Sequence, residues 1–165
     1  MKEEIESTLK EIGARNGLEI AFCEDGTCPL ELADGRVLLI QKRANLDELD
    51  FVATLGPVPK EVRADVFTDL LAANYYWTET FGATISWNVD LDEAVIIYPF
   101  HLADATPESV ETVFKRFVDL QAAWSERLAG MIERAKEETS GALDEDDEEE
   151  FSDDDDGKAR FIITP

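Results

Sequence analysis

Residues 62–100 read VRADVFTDLLAANYYWTETFGATISWNVDLDEAVIIYPF and contain two kinds of hydrophobic period in succession. In the first part, Val66 and Leu70 recur at the spacing of one helix face. In the second part, Ile85 and Trp87 alternate with polar residues, and an apolar run follows after an acidic turn. The segment therefore predicts an amphipathic helix that leads directly into a two-stranded hairpin. It contains almost no residue suited to catalysis, which favours a scaffold that holds another protein.

The rest of the chain can be divided by the same two periods and by its Gly and Pro turn signals. Helices are predicted over 2–14, 60–77 and 106–136, and strands over 18–23, 30–32, 36–43, 49–55, 83–89 and 94–100. The order is α-β-β-β-α-β-β-α, with the first strand either continuous or split into a hairpin. We expect an α+β fold: an antiparallel twisted sheet flanked by helices.

The length of 165 residues fits one domain followed by a tail. Residues 1–136 hold the predicted elements and carry −12 of the formal charge of −23, and residues 137–165 carry the remaining −11. Because the tail is acidic and of low complexity, we expect it to be disordered. The predicted domains are an α+β domain over 1–136 and an acidic tail over 137–165 that ends in a short apolar segment.

The acidity of both parts limits the classes of partner. A negative surface repels phosphate backbones and anionic lipid, so we expect neither nucleic acid nor membrane as a partner. A basic protein partner and a role in solubility alone both remain compatible with this charge. The N-terminus lacks the apolar core of a signal peptide, and no apolar run approaches the ~18 residues of a membrane span, so we expect a cytoplasmic protein.

The two cysteines, Cys23 and Cys28, bracket Glu-Asp-Gly-Thr. Their spacing matches neither a redox CxxC motif nor a common zinc half-site. Asp25-Gly26 favours a two-residue hairpin turn that would place the two cysteines opposite each other. A disulfide is geometrically possible there, but in a reducing cytosol we expect two free thiols.

Groups that could carry chemistry are scarce. His101 is the single histidine and follows an apolar strand, where a loop or packing role is expected. The sequence has no GxxxxGK[ST] loop and no GxGxxG after a strand, and the acidic run 144–150 lacks the spacing of an EF-hand loop. We therefore expect no enzyme, no cofactor and no metal site.

Three stretches resemble the class I type III secretion chaperones of the Tir chaperone family. Residues 49–59 (LDFVATLGPVP) resemble its third strand and the exit into the middle helix. Residues 66–88 (VFTDLLAANYYWTETFGATISWN) resemble the end of that helix and the start of the next strand, and residues 110–128 (VETVFKRFVDLQAAWSERL) resemble the last helix. The resemblance covers about 2–135, and the acidic tail departs from it.

The resemblance implies an ATP-independent cytoplasmic homodimer that binds the N-terminal segment of a secreted effector and keeps it secretion-competent. It implies client contacts from the first helix and first three strands, which here are Ile5, Leu9, Ile12, Leu18, Ile20, Phe22, Val37 and Leu39. It implies dimer contacts from the middle helix and the strand after it, which here are Phe67, Leu71, Tyr75, Trp77 and Trp87. A free strand edge would supply main-chain hydrogen bonds to the client.

Each assignment has an alternative. The client-site residues could instead be core, since the sequence does not separate the two faces of a sheet, and so could Phe67, Leu71 and Tyr75. For function, the alternatives are a YbjN-like regulatory module that is not tied to secretion, and an acidic decoy that mimics nucleic acid for a basic protein. A decoy predicts binding lost steeply with salt, whereas apolar burial predicts binding that survives salt.

The chain ends with ARFIIT at residues 159–164, an apolar stretch after an acidic tether. Such a stretch either docks on the domain or leaves apolar side chains exposed. In one hypothesis it adds to the free edge of its own sheet, or of a dimer partner, and occupies the client site. In the other it is a frayed terminus.

Overall fold

The computed structural model describes residues 3–43, 45–103 and 105–145, with side chains as far as residue 141. Its helices are α1 (Glu3–Arg15), α2 (Arg63–Ala73) and α3 (Pro107–Glu145). Its strands are β1 (Thr27–Glu31), β2 (Val37–Arg43), β3 (Glu48–Pro57), β4 (Thr84–Asn88) and β5 (Glu93–His101), and short 3-10 turns at Lys60–Val62 and Tyr75–Trp77 flank α2. The predicted α+β fold and its element order are confirmed. None of the described helices is long and apolar enough to cross a membrane.

The five strands form one antiparallel sheet in the order β1-β2-β3-β5-β4. The central strand is β3, which pairs with β2 on one side and with β5 on the other. The register places Leu39 opposite Val52 and Val52 opposite Ile97. Because β3 lies between two strands and is apolar on both faces, it fixes which side chains of its neighbours share a face.

One face of the sheet is covered by helices and forms the core. Phe51 of β3 is fully buried there, with its ring centroid 5.8 Å from that of Phe117 and 6.4 Å from that of Phe114, both on α3. Gln121 is also buried in this layer, where its Nε2 donates to the backbone oxygen of Thr54 at 3.0 Å. These contacts place the middle of α3 directly over β3.

Residues 18–23 form no strand, which differs from the prediction. Their side chains do alternate, with Ile20 buried and Glu19 exposed. The Cys23 N–H donates to the backbone oxygen of Thr27 at 2.7 Å, so Cys23 stands opposite Thr27 and not opposite Cys28. The predicted pairing of the two cysteines is therefore wrong.

The turn at Asp25-Gly26 explains this offset. The Asp25 carboxylate accepts hydrogen bonds from the N–H of Thr27 at 2.9 Å and from its hydroxyl at 2.6 Å. This Asx-type closure produces a three-residue loop where a two-residue loop was predicted. The structure has no disulfide between the two cysteines, and Cys23 is exposed whereas Cys28 is buried.

The second helix is shorter than predicted because it ends at Ala73. Tyr76 and Trp77 have φ values of 55° and 53°, in the left-handed region that bulky residues rarely adopt. The predicted helix over 60–77 is thus broken at Asn74. As a result, the side chains of residues 75–77 turn outward.

The third helix is longer than predicted. It continues to Glu145, nine residues beyond Lys136, so residues 137–145 are helical where disorder was expected. Glu, Ala and Leu are strong helix formers, and this outweighs charge repulsion in the first part of the acidic stretch. Among the residues whose side chains are described, the last buried one is Ala135, and helical residues 136–145 extend about 15 Å beyond it. Residues 146–165, including the terminal apolar segment, lie outside the described residues.

Candidate protein-binding surfaces

The face of the sheet opposite the helices presents a row of apolar side chains. Pro29, Leu39, Val52 and Ile97 lie side by side on four neighbouring strands. Val37, two residues before Leu39 on the same face, is 50% exposed. None of these five belongs to the buried core cluster or packs against it. We call these five residues the open face.

Acidic side chains lie at one end of the open face. Glu31 lies opposite Val37 in the register, and Glu93 begins the strand that carries Ile97. Neither of these two carboxylates has a cationic partner within the described part of the chain. The open face is therefore apolar in its middle and negative at one end.

The edge of the sheet at β4 is closed at its centre. Asn74 Nδ2 donates to the backbone oxygen of Ile85, and the Ile85 N–H donates to Asn74 Oδ1, both at 2.9 Å. These are the outward-facing backbone groups of Ile85, and the side-chain amide takes the place of a further strand. An extended peptide cannot pair with β4 at this position without displacing Asn74.

The edge at β1 is weakened in a different way. The Lys42 N–H donates to the backbone oxygen of Gly26, and the Leu32 N–H donates to that of Arg36. Bonded and non-bonded positions alternate along an antiparallel pair, so the backbone of Pro29, three residues from each of these β1-side positions, faces outward. Proline has no N–H, which removes one donor from the middle of this edge. Both edges of the sheet thus offer few groups for strand addition, and the predicted edge-binding mode has little to support it.

The eight residues predicted for a client site lie in three different places. Four of them are core residues with 0–4% exposure: Ile5, Leu9, Ile12 and Ile20. Leu18 and Phe22 are partly buried against that core, and Val37 and Leu39 lie on the open face. The core alternative therefore holds for the first four, because their side chains have no free surface in this conformation.

Val52 and Ile97 of the open face were not among the residues predicted for a client site. Both lie in runs that are apolar at consecutive positions, FVATL and AVIIY, where one face must be core and the other is free. That double-sided pattern is the signal that could have indicated them. The register with Leu39 was needed to assign them to the open face.

The five residues predicted for a dimer interface lie on α2, on β4 and in the turn between them. The rings of Phe67 and Trp87 are 4.9 Å apart and help to line an apolar cleft of about 110 Å³. Leu71 lines the same cleft and is 71% exposed, whereas Tyr75 and Trp77 lie in the turn after α2 and are 75% and 53% exposed. We call these five residues the α2–β4 surface.

Ion pairs hold the helical layer together away from both surfaces. Arg15 of α1 and Lys115 of α3 both contact Glu111, at 2.9 Å and 2.7 Å. The Arg15 guanidinium, followed by the Lys115 ammonium, lowers the pKa of the Glu111 carboxyl to about 2.

Burial raises the pKa of the Cys28 thiol. Among the described residues, no three His, Cys, Asp or Glu side chains are grouped so that they could hold a metal ion.

The family model of the Tir chaperone protein (CesT) family matches residues 7–125. The chain belongs to the Tir chaperone family. The resemblance drawn from the sequence is thereby confirmed for nearly the whole described domain. No curated protein sequence matches this Tir chaperone family member.

Solved structures share the fold of this Tir chaperone family member. A chain of the ExsC–ExsE complex superposes with a TM-score of 0.66 at 17% identity, covering 78% of this chain and 96% of that one. A chain of the ExoU–SpcU complex from the type III secretion system of Pseudomonas aeruginosa gives 0.58 at 21% identity, covering 76% and 98%. A chain of the HopA1–SchA chaperone–effector complex gives 0.57 at 11% identity, covering 73% and 91%.

Proposed function

We propose that this protein is a cytoplasmic, ATP-independent chaperone that binds the N-terminal segment of a type III secretion effector and keeps it competent for secretion. Membership of the Tir chaperone family and the chaperone–effector complexes among the structural neighbours support this proposal. The observation that carries it is the open face, an apolar row outside the core on a sheet whose edges are largely closed.

Client binding is assigned to the open face. Leu39, Val52 and Ile97 are half-buried in the free chain, and a client side chain laid across them would remove their remaining apolar surface from water. Such burial contributes roughly 25 cal/mol per Å². Leu18 and Phe22 are the other partly exposed residues of the predicted site and would provide a second contact on the helical side.

The protein acts as a homodimer through the α2–β4 surface in this proposal. Leu71, Tyr75 and Trp77 are large apolar side chains that a monomer would leave in water. A stable dimer buries upward of ~1,200 Å² in total, and the aromatic residues of this surface are the type that anchors such interfaces. The open face lies on a different side of the sheet and stays free for a client.

The proposal is tested by capture followed by reconstitution. The tagged full-length chain is purified from its own cells, co-purifying proteins are identified by mass spectrometry, and the N-terminal segment of each is then tested with purified chain. We expect a secreted protein whose binding is lost when its N-terminal segment is deleted. Capture that does not depend on this segment would contradict the proposal.

Two variants locate the contact. Leu39→Asp places a charge in the middle of the open face and should abolish binding while leaving the far-UV spectrum and the mass unchanged. Ala122→Asp adds the same charge at an exposed position on α3, on the helical side of the sheet, and should bind as the parent does. An equal loss of client binding in both variants would contradict the assignment of the client site to the open face.

The salt dependence separates this function from an acidic decoy. Contacts made by apolar burial should persist at about 1 M salt, where the Debye length falls to about 3 Å. A decoy held by its negative charge would release a basic partner over the same range. Release of the captured protein between about 0.1 and 1 M salt would therefore contradict the proposed chaperone function.

A further inference from the structure

We propose that residues 158–164 of this chain, KARFIIT, dock on its own open face and occupy it when no client is present. The inference rests on the proposed function in taking the open face as the client site. It commits to one occupant, the terminal segment of the same chain. Three features of the chain support it: apolar chemistry, charge and reach.

The apolar chemistry of the segment matches the surface. Phe161, Ile162 and Ile163 are the only run of three consecutive apolar residues after residue 143 in the sequence. In an extended segment Phe161 and Ile163 point to the same side, and their side chains are spaced to lie over a row of half-buried apolar residues. The open face is such a row, and none of its five residues belongs to the buried core cluster or packs against it.

The charges are complementary. Lys158 and Arg160 are the only cations in residues 137–165, and they immediately precede Phe161. The rim of the open face carries Glu31 and Glu93, which have no cationic partner among the described residues. Placing the two cations beside these two carboxylates would neutralise both pairs, whereas the acidic run 144–156 would be repelled by the same rim and would stay away from it.

The tether starts at the correct end of the sheet. On α3, Gln121 donates to the backbone oxygen of Thr54, and Leu128 is 3.9 Å from the position of a Cβ built at Gly56. The helix therefore passes the sheet at the end where β3 finishes, which is also the end that carries Glu31, Glu93 and Val37.

The tether is also long enough. The fifteen residues 146–160 can span at most about 50 Å, whereas the helix extends only about 15 Å beyond Ala135. The segment can return to the domain with length to spare. Because Asn74 and Pro29 obstruct the two edges, it lies across the face of the sheet and does not add to it as a sixth strand.

The test uses full-length chains and a labelled peptide of residues 158–165. In the double variant Phe161→Ser/Ile163→Ser the attached segment loses its apolar contacts, so the open face should accept the peptide. We expect the peptide to bind this variant at least tenfold more tightly than the parent chain, measured by fluorescence anisotropy. The attached segment of the parent competes at an effective concentration on the order of millimolar.

Two controls complete the test. Phe151→Ser removes an aromatic residue from the tail outside the segment and should leave peptide binding as weak as in the parent. Adding Leu39→Asp to the double variant should abolish peptide binding. Equal affinity for parent and double variant, or no binding to the double variant, would overturn the proposal, and so would binding that Leu39→Asp leaves unchanged.

The peptide test contains no client, so the two proposals can fail separately. If the peptide does not discriminate between the chains but Leu39→Asp still abolishes capture of the effector, the tail proposal fails and the chaperone function stands. If the peptide behaves as expected but no effector is captured, the tail proposal stands and the assigned function fails.

Discussion

The side chain of Asn74 is paired with the backbone of Ile85 through two hydrogen bonds of 2.9 Å, one in each direction. This single residue ends α2, closes the exposed edge of β4 and turns residues 75–77 outward. The edge closure and the aromatic α2–β4 surface therefore have a common origin. A helix that continued through residue 77 would have neither.

Replacing Asn74 by Ala should lower the free energy of unfolding by about 1–3 kcal/mol, because the N–H and C=O of Ile85 lose their partners. Asn74→Asp keeps an acceptor for the Ile85 N–H but replaces the donor by a carboxylate oxygen that repels the Ile85 oxygen, so it should also be destabilising. Urea unfolding measures the cost, and amide exchange at Ile85 shows whether the edge has opened. Unchanged exchange at Ile85 in Asn74→Ala would refute this role.

Leu71→Glu should convert a dimer to a monomer. The side chain is 71% exposed, so a charge there is tolerated by the folded chain but not by an apolar interface. Light scattering at micromolar concentration should give about twice the chain mass for the parent and the single-chain mass for the variant. Leu46→Glu, at a 49% exposed position between β2 and β3, is the matched control and should stay dimeric. A parent that is monomeric across this range would rule out the α2–β4 dimer.

Phe51 and Val52 are adjacent on β3 but face opposite sides of the sheet. Substitution of Phe51 should therefore lower stability, whereas substitution of Val52 should weaken binding. Phe51→Ala removes a fully buried ring and should cost about 3–5 kcal/mol of stability. Val52→Thr keeps the shape on the open face and should change stability by less than about 1 kcal/mol while weakening client or peptide binding. Denaturant unfolding and binding assays on both variants check this. Comparable losses of stability would place Val52 in the core.

The two thiols should react at very different rates with an alkylating reagent at pH 8. Cys23 is exposed, whereas Cys28 is buried and its pKa is raised by that burial, so little thiolate is available there. Mass spectrometry should find one rapid and one slow modification in the folded chain. Cys23→Ser should retain only the slow one, and both cysteines should react rapidly in urea. Rapid reaction of Cys28 in the folded Cys23→Ser variant would contradict the burial of this thiol in the structure.

The ion pairs at Glu111 should contribute to stability in a pH-dependent way. Folding lowers the pKa of this carboxyl from 4.5 to about 2, so its contribution is complete above pH 4.5 and is lost as the pH falls towards 2. Glu111→Gln should therefore be less stable than the parent at pH 6, and the difference should shrink steadily on acidification. Urea titrations between pH 6 and 2.5 measure this. Glu126→Gln, on the same helix without an ion pair, should show no such trend.

Much of the fold could be predicted from local sequence patterns. The alternation in residues 83–89, the short apolar runs in 36–43 and 94–100, and the helical stripe that begins at Val110 identify their elements, because strands and helices differ in their length and in their period of side-chain burial. The apolar residues of α2 and β4 also indicated a surface, and Leu71, Tyr75 and Trp77 do lie exposed together. These features depend on contacts between near neighbours in the chain.

Local patterns could not separate the two faces of the sheet. Ile5 and Leu9 looked as available as Leu39, but the first two pack beneath the sheet and the third lies on its opposite face. That difference is set by the register of β2 against β3 and of β3 against β5, which joins residues far apart in sequence. A shift by one residue would exchange core and surface along a strand.

The sequence by itself determined the order of helices and strands, the acidity of the body and tail, and the family. Only the tertiary structure decided where α2 ends, which edges are closed and which apolar side chains stay outside the core. The physical reason is range: periods and turns act over a few residues, whereas the Asn74–Ile85 pair and the Leu39–Val52–Ile97 row exist only when distant segments are packed together.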